Sequence, residues 1–278
     1  MPRTVWYPGH MAKGKRKLEE LAKKLDLIFE VRDARAPNMT SSPLTESFSK
    51  VCPVYIILSR ADLAEEGATK AWLHFFKEKK RKVWALNLLE GKIEPLRRDI
   101  LRLRPPYREL RVAVMGIPNV GKSLFLNLLV GRKRAQVGGV PGVTRGVSWY
   151  KGQDILAVDS PGILDPRSHV EIHRRLAWLG SSRPDVIGGC DAIAVSLLSF
   201  LRERGLWRLI EDKWGIPDEG EDNLILLEKI GRRLGCLVSG GRVDLALAGQ
   251  RFIDAFATGK LGRVTLEWPG ERYPWEID

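Results

Sequence analysis

The stretch GIPNVGKS at residues 116–123 constrains this chain more than any other. It follows LRVAVM, a short run of residues that suit a buried strand, and precedes SLFLNLL, whose spacing suits a helix. Strand, glycine loop and helix in that order make a phosphate cradle. Gly116 and Gly121 let successive backbone N–H groups turn toward phosphate oxygens, and the helix N-terminus adds its partial positive charge. The pattern G-x-x-x-x-G-K-[ST] assigns Lys122 to the β and γ phosphates and Ser123 to Mg2+. Asn119, Val120, Gly121 and Leu124 complete the nucleotide-contacting set. The loop sits near the middle of 278 residues, so half a domain precedes it.

Downstream, DSPG at 159–162 ends the strand-like DILAVD. Asp159 is placed to hold the magnesium shell through water, and the Gly162 N–H to meet the γ phosphate. Alone, Asp-Ser-Pro-Gly is also what a plain turn looks like. Its position 36 residues past Ser123, with a threonine-bearing loop between, makes the combination informative. That loop, VGGVPGVTRG at 137–146, offers Thr144 as a second hydroxyl on magnesium. Its glycines suit a segment that orders when the γ phosphate is present; an ordinary connection is the plainer alternative.

Upstream lies LSRAD at 58–62. A guanine base presents two N–H donors on one edge, which a single carboxylate can accept together, and Asp62 is the candidate. Ser59 opens the element, and Arg60 carries a planar guanidinium suited to lie over a base. Asn87, with Leu88, ends the next strand where a second base contact would fall. Taken singly, Asp62 is equally a turn or helix-cap residue.

The short apolar runs DLIFEV, VYIIL and VWAL alternate with SSPLTESFSK and GATKAWLHFFKEKK, which carry helical spacing. Alternation of this kind predicts an α/β fold with a parallel-dominated sheet covered on both faces. A helix is expected over 93–103, then LRVAVMG as a strand, a loop over 131–146, and strands near VSWY and DILAVD. Beyond about residue 166, HVEIHRRLAWLG, AIAVSLLSFLRERGLWRLI and LILLEKIGRRLG read as amphipathic helices, and RVTLEW as a closing strand. The boundary is expected at 165–175, dividing 1–168 from a smaller, mostly helical 169–278.

Residues 1–25 and 77–111 carry net charges of +5 and +7, which together hold the whole excess of +12. Two basic runs with a neutral remainder favour a polyanionic partner such as nucleic acid. The helical segment's Arg174, Arg175, Arg232 and Arg233 are balanced by acids, while Trp268 and Trp275 are candidates for stacking on bases. Cys52, Cys190 and Cys236 show neither metal-ligand nor redox spacing and read as buried thiols. No run reaches the roughly 18–20 apolar residues that span a bilayer. The N-terminus turns basic where a secretory signal needs its apolar centre, so a cytoplasmic protein without membrane contact is expected.

WYPGHMAKGK at 6–15, DLIFEVRDARAP at 26–37, SRAD, GIPNVGKS, PGVTRG, DSPGIL and RFIDAFATGKLGRVTLE at 251–267 stand in that order. This set resembles the circularly permuted GTPases of the YlqF type, the ribosome biogenesis GTPase A family, over nearly the whole chain. The resemblance implies a P-loop GTPase domain whose base-reading half is encoded first and whose phosphate-reading half comes second. It implies GTP as substrate and GDP as product, with Mg2+ as cofactor. It also implies the large ribosomal subunit and its rRNA as partners, and a C-terminal domain that binds them. A monomer is the default. The family's Asn-Lys-x-Asp is here Ser59-Arg60-Ala61-Asp62, which keeps only the carboxylate. Ile163 stands where many small GTPases have a water-orienting Gln. The resemblance therefore points to His10 as the catalytic group beside Lys122, and to Asn119 as a K+ ligand that makes turnover potassium-dependent. A nucleotide-gated RNA-binding module with incidental hydrolysis is the first rival. A P-loop kinase is the second, though no acceptor pocket or lid is evident for it.

Overall fold

The computed structural model describes residues 21–131, 135–137, 149–160, 162, 164 and 168–273. His10, Thr144, Ile163 and Trp275 lie outside the described residues. The chain forms two compact units. The first holds the described residues from 21 to 164 together with 265–272, and the second holds 168–264 and Tyr273.

β1 (Leu27–Asp33), β2 (Val54–Ser59), β3 (Val83–Ala85), β4 (Leu110–Met115), β5 (Ala135–Val137), β6 (Trp149–Lys151) and β7 (Ile155–Asp159) form one sheet. Its order is β3-β2-β1-β4-β7-β6-β5. The first five in that order pair in parallel, while β6 and β5 run antiparallel at one edge. β5 lies within the span expected as loop. Three residues with no alternating pattern give no periodic signal, and pairing with β6 creates the strand.

Every residue of β1 is buried. It is flanked by β2 and β4, with Phe29 opposite Tyr55 on one side and Val114 on the other. On one face Ile28 joins Phe48, Met115, Trp149 and Val158 in a shared core. Phe29, at the next position, turns to the opposite face, where its ring meets Phe125 edge-on at 5.1 Å. Phe125 belongs to the helix that follows the glycine loop. Among the described residues this unit carries α1 (Thr45–Ser49), α2 (Glu66–Glu78), α3 (Glu94–Leu101) and α4 (Lys122–Val130). On α2, Trp72 and Phe76 stack at 5.6 Å and pack with Ile56, Leu58 and Val83.

At the N-terminal edge of the sheet, Arg108 forks onto Asp26 at 2.6 and 2.8 Å, and Arg104 reaches Asp154 at 2.6 Å. Arg97 donates to the Leu129 carbonyl at 2.7 Å. Part of the basic run at 77–111 is thus internal fastening.

The second unit is helical: α5 (Val170–Trp178), α6 (Cys190–Glu203), α7 (Arg208–Trp214), α8 (Asn223–Arg233) and α9 (Leu245–Ala257). Gly205, at φ 66°, divides the expected single helix into α6 and α7. Asp222 and Asp244 cap α8 and α9 by accepting from Leu224 N and Leu247 N. Gly249 brings α9 against the start of α6, because a Cβ there would lie 2.5 Å from the Cys190 carbonyl oxygen. Cys52 and Cys236 are buried as expected, but Cys190 is partly exposed and donates to Gln250 at 3.0 Å. Among the described residues no helix is long and apolar enough to cross a membrane.

The stretch expected as a closing strand joins no sheet. Instead residues 265–272 lie on the first unit. Leu266 N donates to Arg35 O at 2.8 Å, and Glu65 N to Thr265 Oγ1 at 3.1 Å. Trp72 Nε1 donates to Glu267 O at 3.0 Å. The Glu267 carboxylate is 2% exposed and accepts from the backbone N–H groups of Asn38 and Met39. A single carboxylate satisfying two N–H groups has no hydrophobic period, which is why a strand was the natural expectation. Glu267→Ala leaves those donors without their acceptor, so a loss of about 1–3 kcal/mol is expected in denaturant unfolding, with Glu267→Gln retaining part of it.

Candidate functional site

The candidate residues gather at the C-terminal ends of β1, β2, β4 and β7, the edge where parallel α/β sheets hold ligands. Gly116 leaves β4 at φ 149°, and a Cβ there would sit 2.4 Å from the Val31 carbonyl oxygen. Only glycine lets the loop pass that close to β1. Asn119 at φ 59° and Gly121 at φ 96° then turn the backbone through left-handed conformations into α4. Such a succession points N–H groups into one concavity.

Within that concavity Lys122 Nζ donates to Ile117 O at 2.7 Å. Burial lowers the Lys122 pKa, and the Asp159 carboxylate opposes the shift. Phosphate oxygens are therefore a better environment for this ammonium than the loop carbonyl alone. Gly162 lies against the same lysine, since its Cβ would stand 2.9 Å from Pro118 N and 3.1 Å from Lys122 Nζ. Ser123 Oγ is 3.5 Å from Asp159 Oδ2. No cluster of three or more His, Cys, Asp or Glu suited to a metal occurs among the described residues. One hydroxyl beside one carboxylate fits Mg2+ completed by phosphates and water, which is how that ion is usually held. Leu124 is half-buried in the first turn of α4.

On the base side, the structure separates five side chains that sequence had grouped. Ser59 Oγ lies 2.7 Å from the Val120 carbonyl and 3.0 Å from that of Arg32, so its hydroxyl ties β2 to the phosphate loop. Arg60, at φ 54°, donates to Asp33 Oδ2 at 2.9 Å and to Asn119 O at 2.8 Å. Leu88 is buried and would touch a Cβ at Gly121 at 3.2 Å. Asn87 folds onto its own loop, accepting from Leu89 N and donating to Glu90. Asp62 is half-buried and makes no hydrogen bond or ion pair among the described residues. Both of its oxygens are left to accept.

Sequence reasoning gave no role to Asp33 and Arg35. Asp33 is fully buried and takes Arg35 Nε and Nη2 at 3.0 and 2.8 Å, besides Arg60. Burial alone would raise its pKa, but the Arg35 charge and hydrogen bond, with Arg60, outweigh burial and hold it below the ordinary 3.8. Beside it, Glu30 receives Arg32 at 2.7 Å and Ser42 N at 2.6 Å. The available signal was EVRDAR itself, four charges running through a segment apolar enough to be a central strand.

The order of strands around the glycine loop, with its helix, lysine and switch glycine, defines a P-loop GTPase domain of permuted chain order. A family model described as 50S ribosome-binding GTPase matches residues 111–196. Ribosome biogenesis GTPase A of Bacillus cereus is 32% identical, over 96% of this chain and 94% of its own. That of Thermotoga maritima is also 32% identical, over 97% and 96%. The crystal structure of GNP-bound YlqF from T. maritima superposes with a TM-score of 0.66 at 28% identity, covering 94% of this chain and all of that one. The chain belongs to the ribosome biogenesis GTPase A family.

Because Asp33 has a lowered folded pKa, it contributes stability that is present above 3.8 and lost as pH falls through the folded value. Asp33→Asn leaves Arg35 buried without its counter-charge, and a loss of about 3–5 kcal/mol at pH 7 is expected. Urea unfolding across pH should show the gap between wild type and variant narrowing below 3.8.

Proposed function

We propose that this protein binds and hydrolyses GTP while assisting assembly of the large ribosomal subunit, its residence there governed by the bound nucleotide. The observation that carries the reading is the juxtaposition of Lys122, Ser123, Asp159 and Gly162 around one helix start, with the Asp62 carboxylate, unpartnered among the described residues, on the same sheet edge. The reaction is in-line attack of water on the γ phosphate. Lys122 and the loop N–H groups stabilise charge that grows on the phosphoryl oxygens and the leaving group. When bound, Mg2+ neutralises the β and γ oxygens, with Ser123, Thr144 and, through water, Asp159 as its holders. Asp62 accepts both donors of the guanine edge. Arg60 and Ser59 act on the base indirectly, by fixing the loop beneath it.

Ile163 has no group to orient water, so His10 is assigned that role, completed on the ribosomal partner. Asn119 is assigned a K+ ion, whose charge substitutes for an arginine finger. Arginine fingers contribute about 10³- to 10⁵-fold, so turnover without partner or potassium is slow. Residues 169–264 are taken as mainly a ribosome- and RNA-binding part, with Trp268, in the segment that returns to the first unit, a further candidate contact. A cytoplasmic monomer fits this role.

Steady-state hydrolysis of GTP should exceed that of ATP and rise with potassium over sodium and with purified large subunits; equal use of ATP, or indifference to subunits, overturns the reading. Asp62→Asn exchanges one acceptor for a donor and so matches xanthine, which offers one donor and one acceptor on that edge. At least a 10²-fold fall in kcat/KM for GTP is expected, with XTP becoming the preferred substrate. A variant that keeps its GTP preference would remove Asp62 from base recognition.

A further inference from the structure

A carboxylate that accepts two N–H donors along one edge of a base must be held to within about 0.5 Å, because both bonds depend on its distance and angle together. Asp62 sits in the irregular stretch 60–65 between β2 and α2. Contacts from elsewhere in the fold must therefore do the holding.

Before Asp62, Arg60 is fastened to Asp33 Oδ2 at 2.9 Å and to Asn119 O at 2.8 Å, and Leu63 N closes the turn on Arg60 O at 2.9 Å. After it, Ala64 is buried with Leu58 and Trp72, and Glu65 stands at the N-cap of α2, where a backbone N–H has no helical acceptor. That N–H donates to Thr265 Oγ1 at 3.1 Å, an acceptor placed 200 residues later in the chain. Thr265 is only 7% exposed, so water is poorly placed to substitute for its hydroxyl.

The next residue, Leu266, is fully buried and donates to Arg35 O at 2.8 Å. Arg35 in turn holds Asp33 through its backbone N–H and its guanidinium, and Asp33 is the carboxylate that holds Arg60. Consecutive residues thus secure both ends of the stretch that carries Asp62, one directly and one through Asp33. Their own seating is firm. The Glu267 carboxylate takes the N–H groups of Asn38 and Met39, its carbonyl takes Trp72 Nε1 at 3.0 Å, and a Cβ on Gly67 would lie 3.6 Å from the Trp268 ring. A segment that only sealed the flank of α2 would need Leu266 and Trp268, but no hydroxyl aimed at the donor that ends this stretch.

We propose that residues 265 and 266 belong to the guanine site: Thr265 is a positioning residue that, with Leu266, holds the turn on which Asp62 meets the base. The proposal rests on the reading of Asp62 as the base acceptor given above. Lifting this segment loosens the base while the phosphates stay held.

The test compares binding of GDP and inosine diphosphate (IDP), with Mg2+, to the full chain and to Thr265→Val, which keeps the shape and removes the acceptor. The two ligands carry the same phosphates. Hypoxanthine lacks the 2-amino group, so it offers Asp62 one donor where guanine offers two. Their affinity ratio therefore reads the seating of Asp62, and partial unfolding of a variant weakens both ligands equally and leaves the ratio alone. Wild type should prefer GDP about tenfold or more, the worth of one hydrogen bond to a charged acceptor. In Thr265→Val that ratio should fall about threefold or more, within the worth of the single bond removed. Thr265→Ser, which restores the hydroxyl, should recover it. A wild-type ratio in Thr265→Val overturns the proposal, as does a Thr265→Ser ratio as low as that of Thr265→Val. A wild type that binds IDP as tightly as GDP overturns the base reading instead.

Discussion

The carboxylate of Asp33 joins segments that lie far apart in the chain. It sits fully buried at the end of the central strand between two guanidinium groups. Arg35, on one side, offers its carbonyl to Leu266 in the returning C-terminal segment. Arg60, on the other, extends to the Asn119 carbonyl in the phosphate loop. One charge thus connects that segment, the turn after β2 and the glycine loop. A buried ion of this kind is tolerable only with its partners in place, so the three segments hold their positions together or not at all.

The departure from Asn-Lys-x-Asp takes on a physical meaning in this setting. Ser59 and Arg60 both reach toward the phosphate loop, whose Val120 and Asn119 carbonyls accept from them. The element therefore divides, with two side chains supporting the loop and the Asp62 carboxylate making no hydrogen bond or ion pair among the described residues. A guanidinium can satisfy Asp33 and Asn119 at once because its donors are set in a fixed fork. A lysine ammonium has no such fork.

The glycine loop was legible in the sequence because its chemistry is backbone chemistry, and Gly116 and Gly121 sit where a side chain would collide or strain. The parallel strands were legible because burial on both faces leaves continuous apolar runs such as VYIIL. The targets of individual polar side chains were not. Nothing in the type of Ser59 or Asn87 says that one reaches a neighbouring loop and the other curls onto its own. The attachment of residues 265–272 was hidden for the same reason, since it rests on Glu267, Thr265 and single backbone bonds. Neither pattern nor propensity records such contacts. The single break at Gly205 and the short β5 fell below the length at which periodicity can be counted.

The return of residues 265–272 also sets a timetable for synthesis. Chains emerge from the ribosome N-terminus first and fold as far as the available sequence allows. Here the central sheet is complete once β7 has appeared, yet Trp72, Arg35 and the backbone of Asn38 and Met39 still await partners encoded beyond residue 264. Synthesis of the intervening stretch takes ~5–20 s at ordinary elongation rates. During that interval the nascent domain carries an open seam along Arg35, Asn38, Met39 and Trp72, and residues 266 and 267 are the ones that close it.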